Sequence, residues 1–477
     1  MIEEQVKSPI AAARPDFLER VLVVLAVLAL ALAPTPFTLP KVPLHPSEAV
    51  LLLGLAVWAV RWLWWDHTCR AFPPLSHWLM VLAAGTGVFF LFGDHLLPAD
   101  GDEKKLLLNL IKEVVQVALY LLLAYPVFRT ALTTPRRMRA AVIALLATTT
   151  LAVALAVAQR VALHTQYQPD PSQRVAYRAF TPAAYLSAQL PFHVCGPFAT
   201  WSEHGYNPSR ATYAGFLALV LPFALALLVF ERKRPGMVLW ASVLFLGAAV
   251  SVMAGYLAPA ILLGLLVTGF ALGWRVGRQV LIGVVAYLLV VSVMGGLNRQ
   301  EMLEAPFQLR ITAQQASYGN GDGTRHLKKF WGEQQAALNV VRANPLFGAG
   351  AGSYQDQVGQ AYGTLGKIDE QRNEPNALNG YLLTAATTGL LGLAVLLLLF
   401  GSSLGLARRA VAAGGAPWTA ALLGALAALA LLTLVTNPWV RGPSVVIAAW
   451  LAAIGNFTTF SPDGRKITSD DMQLSGE

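Results

Sequence analysis

"EPNALNGYLLTAATTGLLGLAVLLLLFGSSLGLA", Glu374 to Ala407, joins a short polar cluster to an apolar run that carries no charge. At 1.5 Å per residue, the run from Tyr381 to Leu406 is long enough to cross a hydrocarbon layer of about 30 Å. The chain opens on a similar run, "VLVVLAVLALALA" (Val21–Ala33), and such runs recur about a dozen times. Of its 477 residues, 56% are hydrophobic and 13% charged, with a mean hydropathy of +0.54. A soluble domain carries about a quarter charged residues. The expected fold is therefore an all-α integral membrane protein, with the first apolar run retained as a span because no small-residue cleavage site follows it.

Apolar runs and their flanks place twelve spans near 18–33, 47–64, 75–92, 105–127, 138–159, 211–230, 237–253, 255–274, 279–296, 381–406, 417–435 and 443–456. Short loops collect the basic residues: Arg136, Arg137 and Arg139; Arg232, Lys233 and Arg234; Arg275 and Arg278; Arg408 and Arg409. Loops rich in Lys and Arg stay in the cytoplasm, which puts both termini inside. The organisation is then 1–159 (helices 1–5), 160–210 (first outer loop), 211–296 (helices 6–9), 297–380 (large outer loop), 381–456 (helices 10–12) and 457–477 (cytoplasmic tail). The net charge of +9 lies in loops, with no basic stripe interleaved with aromatics, so nucleic acid is not an expected partner. Cys69 and Cys195 fall on opposite sides of the membrane and have no metal-ligand spacing. Neither a metal nor a cofactor is expected.

In the large loop, "TRHLKKFWGEQQAALNVVRANP" (Thr324–Pro345) predicts a helix ended by Asn344-Pro345. Arg325, Lys328 and Lys329 share one face, and Leu327, Phe330, Trp331, Leu338 and Val341 the opposite, apolar one. The cations sit in the early turns, where the helix dipole disfavours them. Either solvation or an external anion compensates. Then comes "NPLFGAGAGSY" (Asn344–Tyr354), whose Gly348, Gly350 and Gly352 permit close backbone approach and can turn N–H groups toward an anion. Ahead of the sixth span, "NPSRATYAGFLALVLP" sets Arg210 at headgroup depth, as a snorkelling side chain or as a guanidinium fork for a diphosphate. Arg441 in "TNPWVRGPS" is a further headgroup contact.

Together these stretches resemble the O-antigen ligase and polymerase superfamily of bacterial envelope glycan assembly. The most specific part is Pro345–Leu393. The resemblance implies a metal-independent inverting glycosyltransferase that acts at the outer face on an undecaprenyl-diphosphate-linked glycan, with a glycan or lipid acceptor, among membrane lipids. Arg210, Arg325, Lys328, Lys329 and Arg441 would hold the diphosphate. Gly348, Gly350, Gly352, Tyr354, Asn376 and Asn379 would shape the site. Ligases of the family open the tenth span with a His-Asn pair; here the pair is Leu378-Asn379. Leucine takes no proton, so Glu374, one helical turn earlier, is the first substitute base and His326 the second. The absence of that histidine here tilts the reading toward a polymerase or an atypical ligase. A transporter of lipid-linked glycan and a non-catalytic assembly scaffold are the alternatives.

Overall fold

The computed structural model describes residues 17–35, 45–64, 72–94, 114–166, 197–202, 205–208, 210–252, 258–297, 334–350, 354, 379–414, 417–437 and 443–457. The described chain is mostly helical. In order come α1 (Phe17–Ala31), α2 (Pro46–Trp64), α3 (Leu75–Asp94), α4 (Val114–Ala131), α5 (Pro135–Gln166), α6 (Arg210–Phe230), α7 (Pro235–Val252), α8 (Ala258–Leu272), α9 (Trp274–Leu297), α10 (334–343), α11 (Gly380–Ala412), α12 (Pro417–Val435) and α13 (Pro443–Phe457). Six of them, α2, α4, α5, α6, α11 and α12, are long and apolar enough to cross a membrane. One departure from an all-α chain precedes α6. Strands β1 (Ala199–Ser202) and β2 (Gly205–Pro208) pair antiparallel, with Trp201 opposite Tyr206.

Local chemistry starts these helices where they start. Proline opens α2, α5, α7, α12 and α13, a position where its missing N–H has no intrahelical partner to lose and its fixed φ suits the helix. Ahead of α5, Thr134 Oγ1 accepts the Arg137 N–H at 3.3 Å as a cap. Ahead of α2, the His45 N–H donates to Glu48 Oε2 at 2.8 Å, the side-chain-to-backbone half of a capping box. The other Glu48 oxygen accepts from Tyr120, which lies on a π-helical turn of α4 (Leu119–Leu123).

Helix α6 is the centre. It is apolar on every side and buried on nearly every side, the pattern of a helix surrounded by others. Pro222 interrupts its hydrogen-bond ladder, and beside it the Leu219 carbonyl accepts from Trp450 Nε1 of α13 at 3.2 Å while Phe223 stacks on the Trp450 ring. Helices α8 and α12 approach closely through small residues. A Cβ on Gly424 would strike the Gly264 carbonyl and Thr268 Oγ1, whose hydroxyl already donates to Gly264 O at 2.7 Å. Without a water-driven hydrophobic force between helices, such close contact is a main source of their affinity.

The two ends of the bundle differ. At one end Glu19 (α1) pairs with Arg61 (α2, 3.4 Å) and Arg137 (α5, 2.5 Å), and Glu231 pairs with Arg139 (α5, 2.7 Å) and Arg234 (3.1 Å). Asn456 Nδ2 there donates to the carbonyls of Arg129 (2.9 Å) and Leu132 (3.0 Å), tying α13 to α4. Exposed aromatic residues, Trp64, Phe72, Trp78, Phe230 and Trp274 among them, flank the same end. At the other end the described ties run through tyrosine hydroxyls, that of Tyr120 on Glu48 among them. Tyr213 of α6 meets Ser251 of α7 at 2.8 Å, and the Tyr381 hydroxyl of α11 donates to Ala430 O of α12 at 3.0 Å.

Gly424→Ala is expected to force α8 and α12 apart at a cost of about 1–3 kcal/mol. Gly405→Ala, where a Cβ meets nothing within 4 Å, is expected to be neutral or slightly stabilising. Thermal unfolding of the detergent-solubilised protein checks the contrast: a lower melting temperature for the first and none for the second.

Candidate functional site

The tyrosine-tied end carries the feature the fold turns on. Helix α11 is broken. Gly389 has φ 73° and ψ −176°, a conformation reached essentially only by glycine. It divides α11 into 380–388 and 390–412 and leaves backbone groups at the break without partners inside the helix.

Residues 344–350 supply those partners. Leu390 N–H donates to Pro345 O at 2.8 Å and Leu391 N–H to Leu346 O at 3.4 Å. In return Ala349 N–H donates to Ala386 O at 2.7 Å and Gly350 N–H to Thr387 O at 2.8 Å. Two backbones this close leave no space for a side chain. A Cβ on Gly348 would collide with the backbone of Thr387, Thr388 and Gly389, and one on Gly389 with the backbone of Leu346 and Phe347. Gly348 and Gly350 also have φ of 69° and 93°, values that favour glycine.

So the close approach foreseen for the glycines is made by another part of the chain. The N–H of Gly348 closes a turn on Asn344 O at 2.9 Å, and that of Gly350 is bound to Thr387. The anion-directed role expected of these two N–H groups is therefore corrected: both already have backbone partners.

Around the joint lies a small apolar cluster. Ala336, Ala337 and Val340 of α10 pack with Ala349, Tyr354 and Ala386, with Leu382 and Leu383 beside them. The helix ends at Asn344, as its Asn-Pro signal predicts. Of the predicted apolar face, Val341 packs on this cluster, whereas Leu338 is 43% exposed and the alanines take its place; Leu327, Phe330 and Trp331 lie outside the described residues. Small residues let α10 settle close to α11, where a leucine stripe would hold it off.

Asn379 is the N-cap of α11. Its Oδ1 accepts from the N–H groups of Tyr381 (3.0 Å) and Leu382 (3.1 Å), and its backbone is extended. Thr384, Thr387 and Thr388 each donate back to a carbonyl one turn earlier, at 2.7–2.9 Å. Such bonds keep hydroxyls satisfied in apolar surroundings. Arg210 is the first residue of α6. It stands at the same end as Asn379, because Gly215 lies against Leu432 and Gly380 against Thr433, both of α12.

Of the predicted site residues, Asn379, Gly348, Gly350 and Tyr354 are thus brought into one joint, with Arg210 at the same end. Glu374, His326, Arg325, Lys328, Lys329, Arg441, Gly352 and Asn376 lie outside the described residues. Among the described residues of the joint there is no carboxylate or imidazole. One cation there was passed over in the sequence: Arg342, exposed in the last turn of α10, where the helix dipole favours it, with Nη1 3.3 Å from Asn339 Oδ1. No protein-family model matches the sequence, and no curated protein matches it.

Gly389→Ala and Gly348→Ala are each expected to undo the joint, the first by strain of about 1–3 kcal/mol, the second by collision. Hydrogen exchange read at the amides of Ala349, Gly350, Leu390 and Leu391 checks this: all four should exchange faster together in either variant. Asn379→Ala should cost about 1 kcal/mol of capping and loosen only the first turn of α11.

Proposed function

We propose that the chain is a glycosyltransferase spanning a bacterial inner membrane twelve times, with both termini in the cytoplasm. It transfers or polymerises glycan from an undecaprenyl-diphosphate-linked donor at the outer face. The observation that carries this reading is the joint itself: "NPLFGAG" and "NGYLLTAATTGLLGL", the two stretches on which the resemblance chiefly rests, are spliced by four backbone hydrogen bonds. Support for the sidedness comes from the ion pairs and exposed aromatic residues gathered at the opposite end, as at a cytoplasmic interface.

In this reading the acceptor hydroxyl attacks the anomeric carbon from the face opposite the diphosphate. The carbon–oxygen bond to the diphosphate breaks, and undecaprenyl diphosphate leaves with the electron pair. The hydroxyl proton passes to Glu374 or His326. Arg210, Arg325, Lys328, Lys329 and Arg441 stabilise charge growing on the leaving group. A positioned base contributes about 10²–10⁴-fold, so its removal slows turnover without abolishing donor binding.

A second reading has its own observation. Broken helices recur at the substrate sites of transporters, and α11 is broken at Gly389. Here, however, the break is filled by the protein's own backbone, which favours a structural joint over an open site.

The purified protein with an undecaprenyl-diphosphate oligosaccharide and EDTA, without nucleotide sugar, tests the proposal by mass spectrometry. Lengthened glycan and freed lipid diphosphate are expected. Glu374→Ala should lower the rate about 10²–10⁴-fold, and Arg325→Ala should weaken use of the donor. If no glycosidic bond forms with any offered acceptor, the transferase reading falls; movement of intact donor across vesicles would then favour transport.

A further inference from the structure

The end of the bundle opposite the joint holds a cation without a counter-ion among the described residues. Four described arginines are withdrawn from solvent: Arg61, Arg129, Arg137 and Arg139. Arg61 and Arg137 are matched by Glu19, and Arg139 by Glu231. Arg129, in the last turn of α4, has no ion pair among the described residues, and its Nη1 is buried without a hydrogen-bond partner.

Its surroundings are built to keep it there. Gly455 of α13 lies against the guanidinium, so that a Cβ would strike Nη1 and Cζ. The neighbouring Asn456 pins α13 to the Arg129 and Leu132 carbonyls. One turn back on α4 is Tyr125, and the imidazole of His77 meets its ring edge-on at 5.3 Å. His77 is 3% exposed, and its Nε2 is likewise buried without a partner. With Nδ1 3.4 Å from Ser76 Oγ, the tautomer that accepts there leaves Nε2–H as a donor.

A buried guanidinium is far too basic to shed its proton, and leaving it unpaired in apolar surroundings is costly. Guanidinium and imidazole N–H groups are donors and call for an acceptor, and an anionic acceptor compensates the guanidinium charge as well. The exposed Trp64, Phe72 and Trp78 mark a nearby membrane–water boundary, the depth of lipid phosphates.

We propose that Arg129, with His77 and Tyr125, forms a binding site for a phosphate-bearing anion in the groove between the start of α3 and the ends of α4 and α13. The site is independent of the transferase reading and lies at the other end of the molecule. The phosphate is that of an anionic lipid headgroup or a free phosphate, and the fork geometry of Arg129 suits either.

Native mass spectrometry of the full chain in detergent, titrated with phosphatidylglycerol, tests the site, with inorganic phosphate as a parallel arm followed by thermal shift. Wild-type protein should hold phosphatidylglycerol, and Arg129→Gln should bind it roughly tenfold more weakly or worse. Gly455→Ala, which keeps the charge but displaces the fork, should weaken it in the same direction and carries the test if Arg129→Gln does not fold. Stabilisation by inorganic phosphate that is lost in the same variants would assign the site to a soluble anion. Equal binding of both probes in wild type and variants, or binding of neither by wild type, would overturn the proposal.

Discussion

A backbone group in apolar surroundings must find a partner, and water is not there to be one. At Gly389 this rule shapes the molecule. A helix broken inside a bundle is tenable only if something fills the break, and what fills it is the segment 344–350, which belongs to a distant part of the sequence. The filling segment must come within backbone distance, so a glycine is needed on each side. Position and rigidity of the tyrosine-tied end follow from that pair of residues more than from any apolar contact. The same rule explains smaller features, the carbonyl beside Pro222 that receives the Trp450 indole and the threonine hydroxyls folded back on their own helix.

The contrast between the ends is also physical. Ion pairs gain little where both partners are solvated and more where they are partly withdrawn. Glu231 is shared between two arginines and largely buried; Glu19 is shared between two others. Glu19 thereby joins α1 to α5 as well as to α2, and Glu231 ties the end of α6 to α5. The described ties at the other end run through the hydroxyls of Tyr213, Tyr381 and Tyr120, and of these three only the last meets a charge, the Glu48 carboxylate.

Helix positions were legible in the sequence because apolar runs of membrane length are hard to hide, and because proline marks so many of the starts. The ending of α10 at Asn344 was legible for the same kind of reason. The break in α11 was not. Gly389 sits in an apolar run that reads as one uninterrupted span, and nothing local distinguishes a glycine that bends a helix from one that packs a neighbour. Of the apolar face read for α10, Val341 packs inward and Leu338 does not, on a related ground. Periodicity arguments follow large apolar residues, whereas here close packing selected Ala336 and Ala337 and turned Leu338 outward. The hairpin before α6 was missed because its strands are only four residues each. Asn379 was named as a residue that shapes the site, and its side chain serves as the cap of α11.

The amide of Asn456 binds two carbonyls on a helix more than 320 residues earlier in the chain. Those carbonyls lie at the end of α4, where a helix has no further turn to offer them. During synthesis α4 is made long before α13. The earlier part must therefore wait in the membrane with that end unfinished, held by water or by a provisional partner. This end of α4 is thus completed only when α13 arrives, as a keystone closes an arch, and a nascent chain released before α13 would lack a native seat for the end of α4.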